Sequence, residues 1–305
     1  MRLRTAILLI FLCLGFAPGC RAIRRTVDSR QSIEARRMSR EGLAAIHQNR
    51  WEEAEKLFEA ALELSHSDDR AYWGYSEVLW QKGQHAEAIS HLEQAVRLSA
   101  GAPELRVRLG NMYLEEDRVD DAATQVAHVL ESTRDMATAW ALHGDILVRQ
   151  EKLEAALASY HRAISLDRQS PQVRLAIADI YSRQQRHDRL LATVDQLEES
   201  TIPTEQAAQL EMMRGIAMRE LGHPDSGAQH LQRAIALGMS GREVYHELAK
   251  TELASRRFAA ASHAIRNALQ LAPDDAESLS LAQNIQQAQA RLAADTANDD
   301  LTQER

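Results

Sequence analysis

Cysteine, aromatic and proline residues are scarce in this chain, and each shortage removes a class of protein. Two cysteines, Cys13 and Cys20, in 305 residues exclude a disulfide framework. Neither forms a Cys–His pair, and no Gly-rich phosphate loop, nucleophile elbow or HExxH pattern occurs. Twelve histidines are scattered without paired ligand spacing. His85 and His91 fall on different faces of a helix, and His143 stands at a packing position. No metal, cofactor or catalytic constellation is therefore expected, and the chain reads as a non-enzyme. The formal net charge of −8 and the lack of aromatics within the basic N-terminal stretch speak against nucleic acid. Only Ala6 to Ala17 forms a long apolar run, and it is shorter than the about 20 residues a spanning helix needs.

What the chain has is a period. Ala54, Ala88, Ala122 and Ala156 stand 34 residues apart, and Ala261 rejoins the series in the seventh unit. A second comb runs through Gly42, Gly110, Gly144, Ala178, Gly215 and Ala249, a third through Ala61, Ala95, Ala163, Ala234 and Ala268. A unit of this length holds two helices of about a dozen residues and a tight turn. Such helices approach to about 8–10 Å where the facing side chains are small. Larger residues fill between: Phe58, Leu92, Leu109, Tyr113, Trp140, Tyr160, Tyr181 and Ile265.

The set Trp140, Gly144, Ala156, Tyr160 and Ala163, with Leu109, Gly110, Tyr113 and Ala122, resembles the tetratricopeptide repeat (TPR). The last unit, Tyr245, Leu248, Ala249, Ala261, Ala268 and Pro273, fits the same pattern. The resemblance implies an all-α, right-handed superhelix of about seven helix-turn-helix units. Their expected limits are near 35–68, 69–102, 103–136, 137–170, 171–207, 208–241 and 242–275. Residues 276–294 are expected to form a polar capping helix, and 295–305 a disordered acidic tail. Three departures stand out. Ser76 replaces a glycine, Leu190 replaces the fifth alanine, and Gly227 takes that place after a slip of three residues near Thr201–Thr204. Pro203 is expected to open a helix, and the slip to form a loosened joint. Pro103 and Pro171 suit first helical positions, Ser170 an N-cap, and Gly83 a left-handed turn.

Arg2 and Arg4, the apolar run and Gly19–Cys20 make residues 1–20 a signal peptide. It resembles the lipoprotein type, with Cys20 as the lipidation site; a signal-anchor helix is the alternative. Either places the repeats outside the cytoplasm, in a membrane-anchored envelope position. Residues 21–34, rich in arginine, read as a basic tether able to lie on anionic headgroups.

In repeats of this family the first helices of the units line a concave groove that holds partner peptides or helices. Projected here, that groove carries Leu43, Glu77, Asn111, Asp145, Asp179, Ile216 and Lys250, with Gln81, Glu115, Arg149 and Arg183 one turn on. Asp145–Arg149 and Asp179–Arg183 have i,i+4 ion-pair spacing. Trp73 and Trp80 are seven residues apart with Glu77 between them, so one stripe presents all three, with Trp73 expected exposed as a hot spot. The family's carboxylate clamp is not matched: the corresponding positions are Ser39, Leu43, Gly74, Glu104 and Arg108. The arrangement is similar to that of bacterial outer-membrane TPR lipoproteins, which serve pilus assembly or dock hydrolases and proteases. The function expected is an envelope scaffold binding other proteins, with homo-oligomerisation or an unrecognised groove enzyme as alternatives.

Overall fold

The computed structural model describes residues 19–197 and 204–303, and among them it contains fifteen α-helices and no strand. Residues 1–18 of the expected signal peptide and the slip residues up to Pro203 lie outside the described residues. The chain divides into two compact units, Met1–Gln150 and Glu151–Arg305. That division falls inside the fourth 34-residue repeat and not at the expected joint.

The first unit contains α1 (Gly19–His47), α2 (Trp51–Leu64), α3 (Asp69–Gln81), α4 (His85–Leu98), α5 (Pro103–Glu115), α6 (Val119–Ser132) and α7 (Ala137–Arg149). Consecutive helices pack pairwise, and first helices also meet, α1 on α3 and α5 on α7. The small-residue combs explain how. Phe58 is fully buried, and a Cβ on Gly42 would stand 2.7 Å from its ring, one on Gly74 only 2.1 Å. Gly110 likewise admits Leu142, whose methyl would lie 2.7 Å from an added Cβ. Ser76, the departure from the comb, is buried and satisfied because its hydroxyl donates to the Trp73 carbonyl at 2.6 Å. Asp68 caps α3: its carboxylate accepts from the backbone N–H of Arg70 and Ala71 and from the buried Ser39 hydroxyl at 2.9 Å. One buried carboxylate thus fixes the start of a helix and its docking on α1.

One N-terminal expectation changes. The stretch 21–34 is not a separate tether, because α1 runs as one helix from Gly19 through the first repeat. Cys20 lies in its first turn. No helix among the described residues is long and apolar enough to cross a membrane.

The second unit contains α8 (Leu153–Leu166), α9 (Pro171–Arg183), α10 (His187–Asp195), α11 (Thr204–Glu220), α12 (Pro224–Ala236), α13 (Arg242–Ala254), α14 (Phe258–Leu271) and α15 (Ala276–Gln303). Gly227 in the alanine's place has a direct cause. A Cβ there would come within 2.7 Å of the Gly215 carbonyl oxygen, and one on Gly215 within 2.9 Å of the Gly227 carbonyl. The α11–α12 crossing is backbone on backbone, closer than alanine allows. Leu190 is fully buried on α10, which has nine residues where α8 and α14 have fourteen. The slip is bridged: buried Arg214 of α11 reaches Asp195 of α10 at 3.2 Å and Glu211 at 2.8 Å.

Pro171 opens α9 as expected, but Ser170 makes no side-chain capping bond. The cap of α15 is Asp275, which accepts from the Ser278 N–H at 2.9 Å and pairs with Arg242 at 2.9 Å. Ser278, Leu281 and Ile285 form the buried stripe of α15, while Leu279 and Leu292 are exposed. The helix continues to Gln303, past the expected limit at 294 and into the segment expected to be disordered.

The backbone carries a period of its own. Asn49, Gly83 and Asp117 in the first unit, and Glu151, Gln185, Gly222 and Arg256 in the second, all have positive φ, between 56° and 84°. Each ends a helix, and in most of these turns the next residue's N–H bonds to a carbonyl five positions back, as from Gln84 to Leu79 and from Arg257 to Glu252. That is the left-handed helix stop. Glycine fills it at two of the seven positions.

Candidate protein-binding face

The capped start of α3 sets the register of Trp73, Glu77 and Trp80. Both tryptophans are half-buried and pack against the core formed by Leu92, Leu109, Met112 and Leu142. Trp73 is thus not the exposed anchor its spacing suggested. Its ring shares the interior because α4 and α5 close over the stripe.

Between the tryptophans, Glu77 accepts two hydrogen bonds from Arg108 on α5, to Nε at 2.7 Å and Nη2 at 2.8 Å. This fork-on-fork geometry is the strong form of a charged pair. Burial opposes the Arg108 charge, but the Glu77 hydrogen bonds and charge outweigh it and raise the guanidinium pKa. The same guanidinium stands 5.8 Å from the Trp80 ring centre and 3.8 Å from Glu115. The His85 imidazole stacks on Trp80 at 4.1 Å between centroids, tilted 15°, and meets Glu116 at 2.5 Å. Trp80 therefore combines an apolar body with a charged surround, an arrangement favoured where a protein surface meets another chain.

Further along, Asn111 is half-buried and makes no side-chain hydrogen bond among the described residues. Arg149 is exposed and engages Asp117 at 2.9 Å, in the turn before α6. Asp145 is half-buried and has a partner of its own. These residues bring Trp73, Glu77, Trp80, Asn111, Asp145 and Arg149 onto first helices of the first unit.

In the second unit, Asp179 and Arg183 form the expected i,i+4 pair at 2.8 Å, on the surface. The continuation of the ladder, Ile216 and Lys250, lines a cavity of about 280 Å³ with Ser182, His187, Arg219 and Glu247. Arg219 holds Glu247 and Glu220, at 2.5 and 2.7 Å, and Lys250 adds a contact to Glu247 at 3.1 Å. Burial pushes the Glu247 carboxyl up, yet Arg219 and then Lys250 outweigh it and hold it below the ordinary range.

Spacing alone missed Arg108 as the partner of Glu77, His85 as the stack on Trp80, and Arg219 as the centre of the second cluster. The histidines set aside in the sequence pack as side chains. His91 contacts Tyr72 and Tyr75, and His143 meets Trp140 edge-on.

Comparison with known proteins agrees with this architecture. Tetratricopeptide-repeat models match residues 39–103, 79–146 and 144–185. No curated protein matches. Among solved structures, PilF of Pseudomonas aeruginosa superposes with a TM-score of 0.62 at 15% identity, covering 68% of this chain and 93% of that one. A tetratricopeptide repeat protein from Parabacteroides merdae gives 0.57 at 12% identity, with 83% and 99% covered. PilW, a type IV pilus biogenesis factor, gives 0.54 at 19% identity, with 67% and 93% covered. At these identities the likeness concerns the fold. Paired helices at a 34-residue pitch, glycine-dependent crossings and matching repeat models together place this chain in the tetratricopeptide-repeat superfamily.

Proposed function

We propose that this chain is a non-enzymatic scaffold of the bacterial cell envelope, holding a segment of a partner protein against its first helices. Proteins of this repeat type bind other proteins. The observation that carries the reading here is the stripe Trp73–Glu77–Trp80 with its Arg108 fork. Aromatic surface and an oriented charge pair stand side by side on a rigid helix face, so little ordering cost opposes binding. Asn111 adds an unengaged amide able to meet a partner's backbone. The cluster around Arg219 and Lys250 offers the second unit a polar counterpart, with Asp179 and Arg183 nearby.

The envelope placement rests on the N-terminal pattern: arginines, the apolar run Ala6 to Ala17, and Gly19 before Cys20 as the acylated residue. A fold shared with a type IV pilus biogenesis factor is compatible with that placement.

Because Trp73 and Trp80 also hold the core, their truncation would confound binding with stability. Asn111→Arg is the cleaner probe, since it adds bulk and charge at a half-buried position with no hydrogen bonds to lose. With in-envelope crosslinking, it is expected to lower partner recovery about tenfold or more while helical circular dichroism is unchanged. Undiminished recovery of the same partner would refute the face.

A further inference from the structure

Between Arg30 and Ala45, α1 presents two contrasting faces. Ala35, Ser39, Gly42 and Ala45 form the inner stripe, buried against the repeat. On the opposite side Arg30, Ile33, Arg36, Arg37 and Arg40 are all exposed, spaced three or four apart so that they share one surface. Ile33 is 67% exposed, the most exposed of the chain's large apolar side chains among the described residues. Arg37 is neutralised by Glu34 at 2.5 Å, with Glu41 at 3.9 Å. Among the described residues, Arg30, Arg36 and Arg40 have no carboxylate partner. This is a cationic helix face with one apolar residue at its centre, in a chain whose net charge is −8.

We propose that this face of α1 rests on an anionic lipid surface, with Ile33 inserted among the headgroups and Arg30, Arg36 and Arg40 paired to lipid phosphates. Three observations favour lipid over other polyanions. The face is one helix wide, it carries an exposed aliphatic residue in place of a stacking aromatic, and its helix begins at Gly19, two residues after the apolar run ends at Ala17. The proposal uses the envelope-tether reading only for how α1 reaches a membrane. On this arrangement the first repeat would lie beside the bilayer.

The test uses the full chain carrying Cys20→Ser, so that no acyl group contributes. Co-sedimentation is measured with phosphatidylcholine vesicles and with vesicles containing phosphatidylglycerol. The neutral vesicles read the apolar run, which does not distinguish charge. Binding to the anionic vesicles is expected to be stronger, to fall with salt, and to drop about a hundredfold in R30Q/R36Q/R40Q. Ile33→Glu is expected to reduce it as well, with unchanged circular dichroism in both variants. Equal binding to the two lipid compositions, or full binding by the triple variant, would overturn the proposal. So would displacement from the vesicles by an oligonucleotide at matched phosphate concentration. Acylation is read separately, by labelled palmitate incorporation at Cys20 in cells. Its loss alongside charge-dependent vesicle binding removes the anchor and leaves the face; the reverse removes the face.

Discussion

The two units fill the same repeat with different chemistry. All four tryptophans, Trp51, Trp73, Trp80 and Trp140, belong to the first, and its buried polar residues are Ser39, Asp68 and Ser76. The second buries Arg214, Glu252 and His246 and ties them into networks: Arg214 with Glu211 and Asp195, Glu252 with Arg257 and Gln232, His246 with Ser278. A 34-residue hairpin therefore requires small residues at its crossings but leaves the rest of its interior open. The first unit spends that freedom on aromatic shape, the second on paired charge. Aromatic packing tolerates salt and acid; buried ion pairs respond to losing a partner.

The contrast can be broken most forcefully in the first unit. Phe58→Ala is expected to cost about 3–5 kcal/mol, because the ring fills the space between two glycines. Gly74→Ala, which drives a methyl into that ring, should cost about 1–3 kcal/mol. Urea unfolding followed by tryptophan fluorescence reports on this unit alone, since every tryptophan lies in it.

In the second unit the comparable lesion is Arg214→Ala. Removing a buried guanidinium from two carboxylates is expected to cost about 3 kcal/mol. Far-ultraviolet circular dichroism should then show a second-unit transition at lower urea while the fluorescence transition is unmoved. Merged, unshifted transitions would show that the charge network contributes no stability.

Acid sharpens the comparison. Burial lowers the pKa of His91 and His143 in the first unit and of His246 in the second, where Lys250 adds to burial. A lowered histidine pKa leaves the unfolded chain binding more protons. Stability is therefore full above the ordinary value near 6.5 and falls as pH drops below it. Glu247, held below the ordinary carboxylate range, adds stability above about 4.5 that is lost as pH falls through its folded value. Both units should weaken below about pH 6.5, and the second should lose more below about pH 4.5, read by the same two probes.

The smallest expected effect concerns the turns. Arg256 holds a left-handed backbone at φ 57° that glycine adopts freely. Arg256→Gly is expected to gain about 0.5–1 kcal/mol in the second unit, the relief of strain being partly offset by unfolded-chain entropy. Asp117, its counterpart in the first unit, tolerates that conformation better and should gain less.

The fold was legible because small residues leave a mark at fixed intervals. Gly42, Gly110 and Gly215 sit where another chain segment takes the place of a side chain, and Pro103 and Pro171 sit where a helix begins. The helix stops carry a strong sequence signal at Gly83 and Gly222 and a weaker one at Asn49 and Asp117, while Glu151, Gln185 and Arg256 carry no signal of a left-handed backbone. Helical periodicity put Trp73, Glu77 and Trp80 on one stripe but not their depth. Depth depends on α4 and α5, whose closure brings Arg108, 31 residues away, onto Glu77. The basic stretch read as a tether because arginines alone do not distinguish coil from helix. Its helical course follows from continuity with the buried stripe Ala35, Ser39, Gly42 and Ala45.

The most direct test of the binding face is a photocrosslinking residue placed in turn at Asn111 on α5 and at Glu131, exposed on the second helix α6. In the native envelope the account predicts a discrete adduct with one partner from Asn111 and none from Glu131. Equal adducts from both positions, or an adduct from Glu131 alone, would contradict it.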